Sequence, residues 1–218
     1  MDILVKPLGA LLKMIFDLIG NYGLSIIVFT VIVKLAMLPL TMKQTKSMKK
    51  IQEIQPQLKV LQEKYKNDQE KLNIKSVELY KENNVSLYGG CLPLLIQLPI
   101  IIALFTVLRN PIDYGFTQEA IEGGFLWIAN LSLADPWILP FIAGFTTYLT
   151  STTTSDTSNQ QSSTQIVTKY IMPAMIFWWG RSFPAGLTLY WGISNLFQLA
   201  QQLFINQYFL NQKEISTN

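Results

Sequence analysis

Apolar residues fall along this chain in long uninterrupted runs, set apart by short polar stretches. About twenty helical residues cross a hydrocarbon core of roughly 30 Å. Five stretches reach or approach that length, at 24–42, 91–109, 137–153, 166–183 and 185–205. A β-barrel would need short strands of alternating polarity, so continuous runs argue for helices. The pattern predicts an all-α integral membrane protein with spans at 21–42, 91–109, 137–153, 166–183 and 185–205. The third span is short and threonine-rich, and the fourth carries charges near both ends.

The stretches outside the spans have patterns of their own. In 1–20, Asp2, Lys6, Gly9, Lys13 and Asp17 recur at three- and four-residue spacing, while Leu, Ile, Met and Phe fill the other faces. This predicts an amphipathic helix lying in the membrane interface. The alternative is an unprocessed targeting peptide, but Lys13 interrupts its apolar core and neither a small-residue cleavage site nor a lipobox cysteine follows. In 43–86, ten lysines stand against six acidic residues. Ile51, Ile54, Leu58, Leu61 and Tyr65 step along one helical face, and Pro56 is expected to bend or interrupt that helix. Asn67 with Glu70 has the form of a capping box opening a second helix with Leu72, Val77, Leu79 and Tyr80. The prediction is a cytoplasmic helical hairpin. A lysine-rich pair is ordinarily a solvated face. Beside a bilayer, Lys46, Lys49, Lys50, Lys59 and Lys64 also form a recruitment surface for anionic lipid or ribosomal RNA.

Charge then orients the chain. The loop 110–136 has four acids (Asp113, Glu119, Glu122, Asp135) and no basic residue, which places it outside if lysine-rich segments stay in the cytoplasm. The N-terminus is then outside, and the 154–165 loop and the 206–218 tail are cytoplasmic. Lys169 fits this orientation. Arg109 and Arg181, at outer ends, do not, although arginine at a span end can snorkel. The stretch "STTTSDTSNQQSST" is low in complexity.

Composition removes most catalytic chemistry. Half the residues are hydrophobic, 14% are charged, the net charge is +3, and there is one cysteine (Cys91) and no histidine. An intramolecular disulfide, a His/Cys zinc site and a Ser-His-Asp triad are therefore excluded. No G-x-x-x-x-G-K-[ST] loop is present, and no predicted span contains an acidic residue as an intramembrane aspartyl protease would require. Neither an enzyme nor a cofactor is expected.

Several spans carry polar stripes at helical spacing. Thr30, Lys34 and Thr41 share a face of the first span; Gln97 and Thr106 lie in the second; Thr146, Thr147, Thr150 and Ser151 mark the third. Trp191, Ser194, Asn195, Gln198, Gln201 and Gln202 form a stripe on the fifth. A polar group facing lipid unpartnered costs several kcal/mol, so the stripes should face each other or water. The plain reading is interhelical hydrogen bonding, worth about 1 kcal/mol or less per pair. Lys34 is different. A lysine at helix centre costs about 2.5–3.5 kcal/mol on insertion scales. The next charge, Lys43, is nine residues on, about 13 Å along the axis and beyond the reach of one lysine stem. The surviving reading is a wet cavity at mid-membrane whose acidic partner arrives from outside the chain. A small transporter or channel with Lys34 as an anion site is the alternative, although no internal repeat with interrupted spans is visible. A structural scaffold with the hairpin as its docking module is a third reading.

Four segments in order resemble the YidC family of membrane-protein insertases: "NYGLSIIVFTVIVKLAMLPLTMKQTKSMKKIQEIQPQLKVLQEKY", "GGCLPLLIQLPIIIALFTVLR", "LADPWILP" and "FPAGLTLYWGISNLFQLAQQLFI". The resemblance implies five transmembrane helices around a hydrophilic groove, open to cytoplasm and lipid and closed outside. It implies that a basic residue of the first span, usually arginine, attracts acidic residues of an incoming protein. Lys34 stands at that position, keeping the charge but losing the planar bidentate fork. Where family members often carry a groove-facing glutamine in the third span, this chain has Thr150, and the fifth-span aromatic corresponds to Trp191 beside Tyr190. The expected substrate-binding groove is Lys34, Thr30, Gln97, Thr150, Tyr190, Trp191, Asn195 and Gln198. The implied partners are nascent membrane proteins, the ribosome, a targeting receptor, the general secretion channel and membrane lipid, with no specific DNA. The implied location is the bacterial plasma membrane. Gram-positive members often carry a lipoprotein signal, absent here, so either that signal has been removed or the first span serves as an N-out anchor.

Overall fold

The computed structural model describes residues 2–83, 92–154 and 166–217. The ends of the chain, the expected hairpin end at 84–86, residue 91 and residues 155–165 of the expected cytoplasmic loop lie outside the described residues. Among the described residues eight α-helices follow in order: α1 (Asp2–Ile19), α2 (Tyr22–Lys64), α3 (Gln69–Glu82), α4 (Leu92–Arg109), α5 (Gln118–Glu122), α6 (Ile138–Thr154), α7 (Met172–Gly180) and α8 (Ala185–Thr217). Among the described residues the only β pairing is an isolated bridge between Phe125 and Ile128. The chain divides into two compact units, Met1–Leu35 with Pro99–Asn218, and Ala36–Leu98.

The smaller unit is a helix pair. Ile54 and Leu58 of α2 pack on Leu79 of α3, with Ile51, Leu61 and Tyr80 partly buried around them. Pro56 does not interrupt the helix, for α2 runs through both Pro39 and Pro56. An interior proline costs about 3 kcal/mol. Here it is flanked by good helix formers, and Ile54 and Leu58 on either side are buried. The cap of α3 also falls one residue later than expected. Asp68, not Asn67, accepts from the Lys71 backbone N–H at 3.1 Å.

In the larger unit, α1 buries Val5, Leu12 and Ile15. Gly9 belongs to this packed side and not to the polar face, since a Cβ there would come within 2.8 Å of the Tyr114 ring and 3.3 Å of Val107. Lys6 is exposed, Lys13 pairs with Asp17, and Ile3, Leu4, Met14 and Leu18 face outward. Phe16, Tyr22 and Phe116 form an edge-to-face cluster with centroids 4.9 to 6.3 Å apart. At the start of α8, Gly186 lets the backbone approach Ile26 and Leu108. The first free N–H groups of α8 are taken by loop carbonyls, Ala185 by Leu133 at 2.7 Å and Gly186 by Leu131 at 2.9 Å. Helices α6 and α7 meet at glycines: a Cβ on Gly144 would lie 3.0 Å from the Pro173 carbonyl, and one on Gly180 would lie 3.3 Å from Pro140. A π-helical turn, Val167–Ile171, precedes α7, with the Met172 N–H reaching back to the Val167 carbonyl. Pro173 supplies the cause, since it has no N–H to continue the tighter ladder.

Candidate functional site: a polar seam and a lone lysine

Helix α6 presents Thr146, Thr147, Thr150 and Thr153 at positions that return to one face, and α8 presents Trp191, Asn195 and Gln202 opposite them. Thr147 is the hub. Its hydroxyl donates to the Ala143 carbonyl one turn back at 2.7 Å, as threonine in a helix does. That leaves its oxygen lone pairs to accept from Asn195 Nδ2 at 2.7 Å and Trp191 Nε1 at 3.2 Å. Thr146 and Thr150 repeat the backbone donation, at 2.8 Å to Ile142 and 2.9 Å to Thr146. Each also touches Asn195 at 3.4 Å. Farther along, Thr153 donates to Gln202 Oε1 at 2.5 Å. The polar stripes of these helices therefore face one another. Beside them the buried Ser194 hydroxyl has no hydrogen-bond partner among the described residues.

Lys34 has a different environment. It is half-buried on α2 and makes no hydrogen bond or ion pair among the described residues. Thr30, one turn earlier, is fully buried and donates to the Ile26 carbonyl at 2.6 Å. An ammonium group in a partly dry site without a carboxylate is an incomplete pair, and a completed one is a charge-assisted contact of the stronger kind.

The structure thus brings Thr150, Trp191 and Asn195 together in the seam, and sets Thr30 and Lys34 one turn apart on α2. Tyr190 is fully buried and Gln198 half-buried on α8. Gln97 is half-buried within the Ala36–Leu98 unit. On the helix pair Lys46, Lys50 and Lys64 are exposed and Lys49 and Lys59 half-buried, with the Lys64 ammonium 5.5 Å from the Tyr65 ring centroid. Among the described residues no three His, Cys, Asp or Glu side chains group as a metal site.

One residue carries more than its sequence position indicated. Asp135 sits just before α6 and accepts from the backbone N–H groups of Trp137, Ile138 and Leu139 at 2.9, 3.0 and 3.3 Å. It also accepts from the Trp127 indole at 2.8 Å. Burial pushes its carboxyl pKa upward, but these four donors together outweigh burial and hold it below the usual carboxylate range. An Asp just ahead of an apolar helical run was the available signal.

Residues 14–213 match the family described as 60Kd inner membrane protein. The chain is 40% identical over 207 residues to the membrane protein insertase YidC of Fusobacterium nucleatum, covering 94% of this chain and 95% of that protein. It is 42% identical over 200 residues to that of Enterococcus faecalis, covering 89% and 70%. With that of Wolinella succinogenes the identity is 40% over 205 residues, covering 93% of this chain and 37% of the relative. The fold is similar to a crystal structure of an active YidC insertase with its first transmembrane domain resolved, at a TM-score of 0.67 and 31% identity over 91% of this chain and 45% of that one. The chain therefore spans nearly all of the Fusobacterium relative, 70% of the Enterococcus one and about a third of the Wolinella one.

Proposed function

We propose that this chain, which belongs to the 60Kd inner membrane protein family together with the YidC insertases, receives acidic segments of nascent membrane proteins at Lys34 and passes their apolar helices to the lipid. Its family makes it a membrane-protein insertase of the bacterial plasma membrane. The observation that carries the mechanism is Lys34, half-buried and without a partner among the described residues.

Only one described helix, over Tyr22–Ile51, meets a length-and-hydropathy test for crossing a membrane by itself. The five-span arrangement is therefore part of the proposal. It is supported by the apolar runs and by the seam, since hydroxyls and amides that face each other across α6 and α8 need not face lipid. Helix α6 has 17 residues, about 25 Å of rise, less than a full hydrocarbon core.

In this reading a groove open to the cytoplasm admits water to Lys34. An incoming acidic segment finds a fixed positive charge part-way across, which shortens the distance its carboxylate must travel through hydrocarbon. Its apolar helix partitions into lipid beside the groove, which drives release. Lys34 has to attract without trapping, so a point charge with one rotatable ammonium suits the task. The exposed Lys46, Lys50 and Lys64 supply a basic surface for a ribosome, a targeting receptor or anionic lipid. The N-terminus faces outward and the α8 end inward, and the general secretion channel is a further candidate partner.

The test is insertion of single-span substrates into proteoliposomes. One substrate carries an acidic translocated tail, the other the same tail neutralised. Lys34→Met should lower insertion of the acidic substrate about tenfold, the size of one lost charge-assisted contact. It should spare the neutral substrate, and Lys34→Arg should preserve both. Equal insertion of both substrates by Lys34→Met, at equal protein levels, would remove the mechanism. Solute flux without any substrate protein would instead favour the small transporter or channel.

A further inference from the structure

We propose that Arg181, with its guanidinium over Trp137 and near Trp178, binds the phosphate of a phospholipid headgroup in the leaflet next to the 110–136 loop. This rests on the reading of the chain as membrane-embedded, but not on any role of Lys34. Arg181 follows α7 directly, and its guanidinium carbon lies 4.1 Å from the Trp137 ring centroid and 5.5 Å from that of Trp178. Trp137 and Trp178 are 57% and 66% exposed, so the cluster stands on the outer surface of the helices. Arg181 joins no ion pair among the described residues. Asp135, two residues before Trp137, already has both oxygens engaged by the Trp127 indole and three backbone N–H groups.

A guanidinium held over an indole by cation–π attraction still has N–H donors to offer, and its planar fork matches two phosphate oxygens. The surface below completes the site. Phe141 and Phe145 of α6, stacked 6.2 Å apart, and Trp179 of α7 are each more than half exposed, and Met175 of α7 is partly so. Tryptophan at headgroup depth with an aromatic and aliphatic face beneath it is the setting of a lipid whose phosphate sits at the interface. A free phosphate would gain nothing from Phe141 and Phe145. An acyl chain would lie along them.

Full-length protein in detergent is mixed with phosphatidylglycerol or phosphatidylcholine, and bound lipid is counted by native mass spectrometry. Wild type should retain both lipids, which share the phosphate, about fivefold better than Arg181→Gln does, the effect of one interfacial arginine. Trp137→Leu should lose part of that advantage. Arg109→Gln should lose none, because Arg109 rests on a single Phe105 ring at 5.5 Å and lacks the tryptophan pair. Excess glycerol phosphate should not displace the lipid. Retention unchanged in Arg181→Gln, equal loss in Arg109→Gln, or full displacement by glycerol phosphate would each overturn the proposal. Should Arg181→Gln fail to fold, Arg181→Lys serves: weakened retention with intact helical content supports the fork, and unchanged retention overturns it. Insertion assays on the same proteins keep a failure here distinct from a failure at Lys34.

Discussion

Lys34 and Asp135 show two ways in which one charge can be held in a low-dielectric setting. Asp135 is buried and answered by four donors. Lys34 is half-buried and answered by none among the described residues. The first arrangement stabilises a fold, and the second is the site proposed for a visiting carboxylate. Asp135→Ala should lower stability by about 0.5–2 kcal/mol, as loss of a helix N-cap does, read as a drop in thermal midpoint. Because the folded carboxyl titrates below its unfolded value, its contribution is present above about pH 4 and lost as pH falls through the folded value. The wild-type advantage over Asp135→Asn should therefore shrink on acidification; an advantage that grows would contradict the cap. In the seam, Thr147→Val removes the acceptor shared by Trp191 and Asn195. A double-mutant cycle with Asn195→Ala should give a coupling of about 1 kcal/mol, and zero coupling would show that the contact contributes nothing.

Among the elements, the glycines at helix crossings differ in how much room they leave. A side chain on Gly144 would press on the Pro173 carbonyl and on Phe177, while one on Gly192 meets only Ile142 at 3.7 Å. Gly144→Leu should cost about 1–3 kcal/mol by overpacking, and Gly192→Ala should be tolerated; equal thermal midpoints for the two would refute the packing of α6 on α7. Helical content was legible in the long apolar runs, and the family in four ordered motifs. The finer grammar was less so. Pro56 reads as a breaker because its missing N–H is a local fact, whereas the burial of Ile54 and Leu58 that holds α2 together is tertiary. Gly9 reads as polar-face because it sits between charged neighbours, yet its missing side chain is what admits Tyr114. The α3 cap slipped by one because Asn67 and Asp68 are both good caps, and only the backbone decides between them. At the site, the stripes on α6 and α8 could be read from helical spacing, but the role of Thr147 as shared acceptor required the actual pairing.

The whole chain combines a lysine-rich helix pair with a larger helical unit carrying the seam and Lys34. The orientation proposed for it places Ser76 of α3 in the cytoplasm and Ser182, after α7, outside. Single cysteines at these two positions, in a Cys91→Ser background, should react with an impermeant thiol reagent from opposite sides of sealed vesicles. Labelling from the same side would invert the account. Charge reversal tests the central claim most directly. Lys34→Glu should block insertion of a substrate with an acidic translocated tail, and the same substrate with a lysine tail should enter poorly through wild type. Combining the two reversals should restore insertion, because in the proposed mechanism Lys34 supplies the charge opposite to its visitor's. If Lys34→Glu inserts the acidic tail as well as wild type does, or the paired reversal gives no rescue while the protein remains folded, Lys34 is not the receptor.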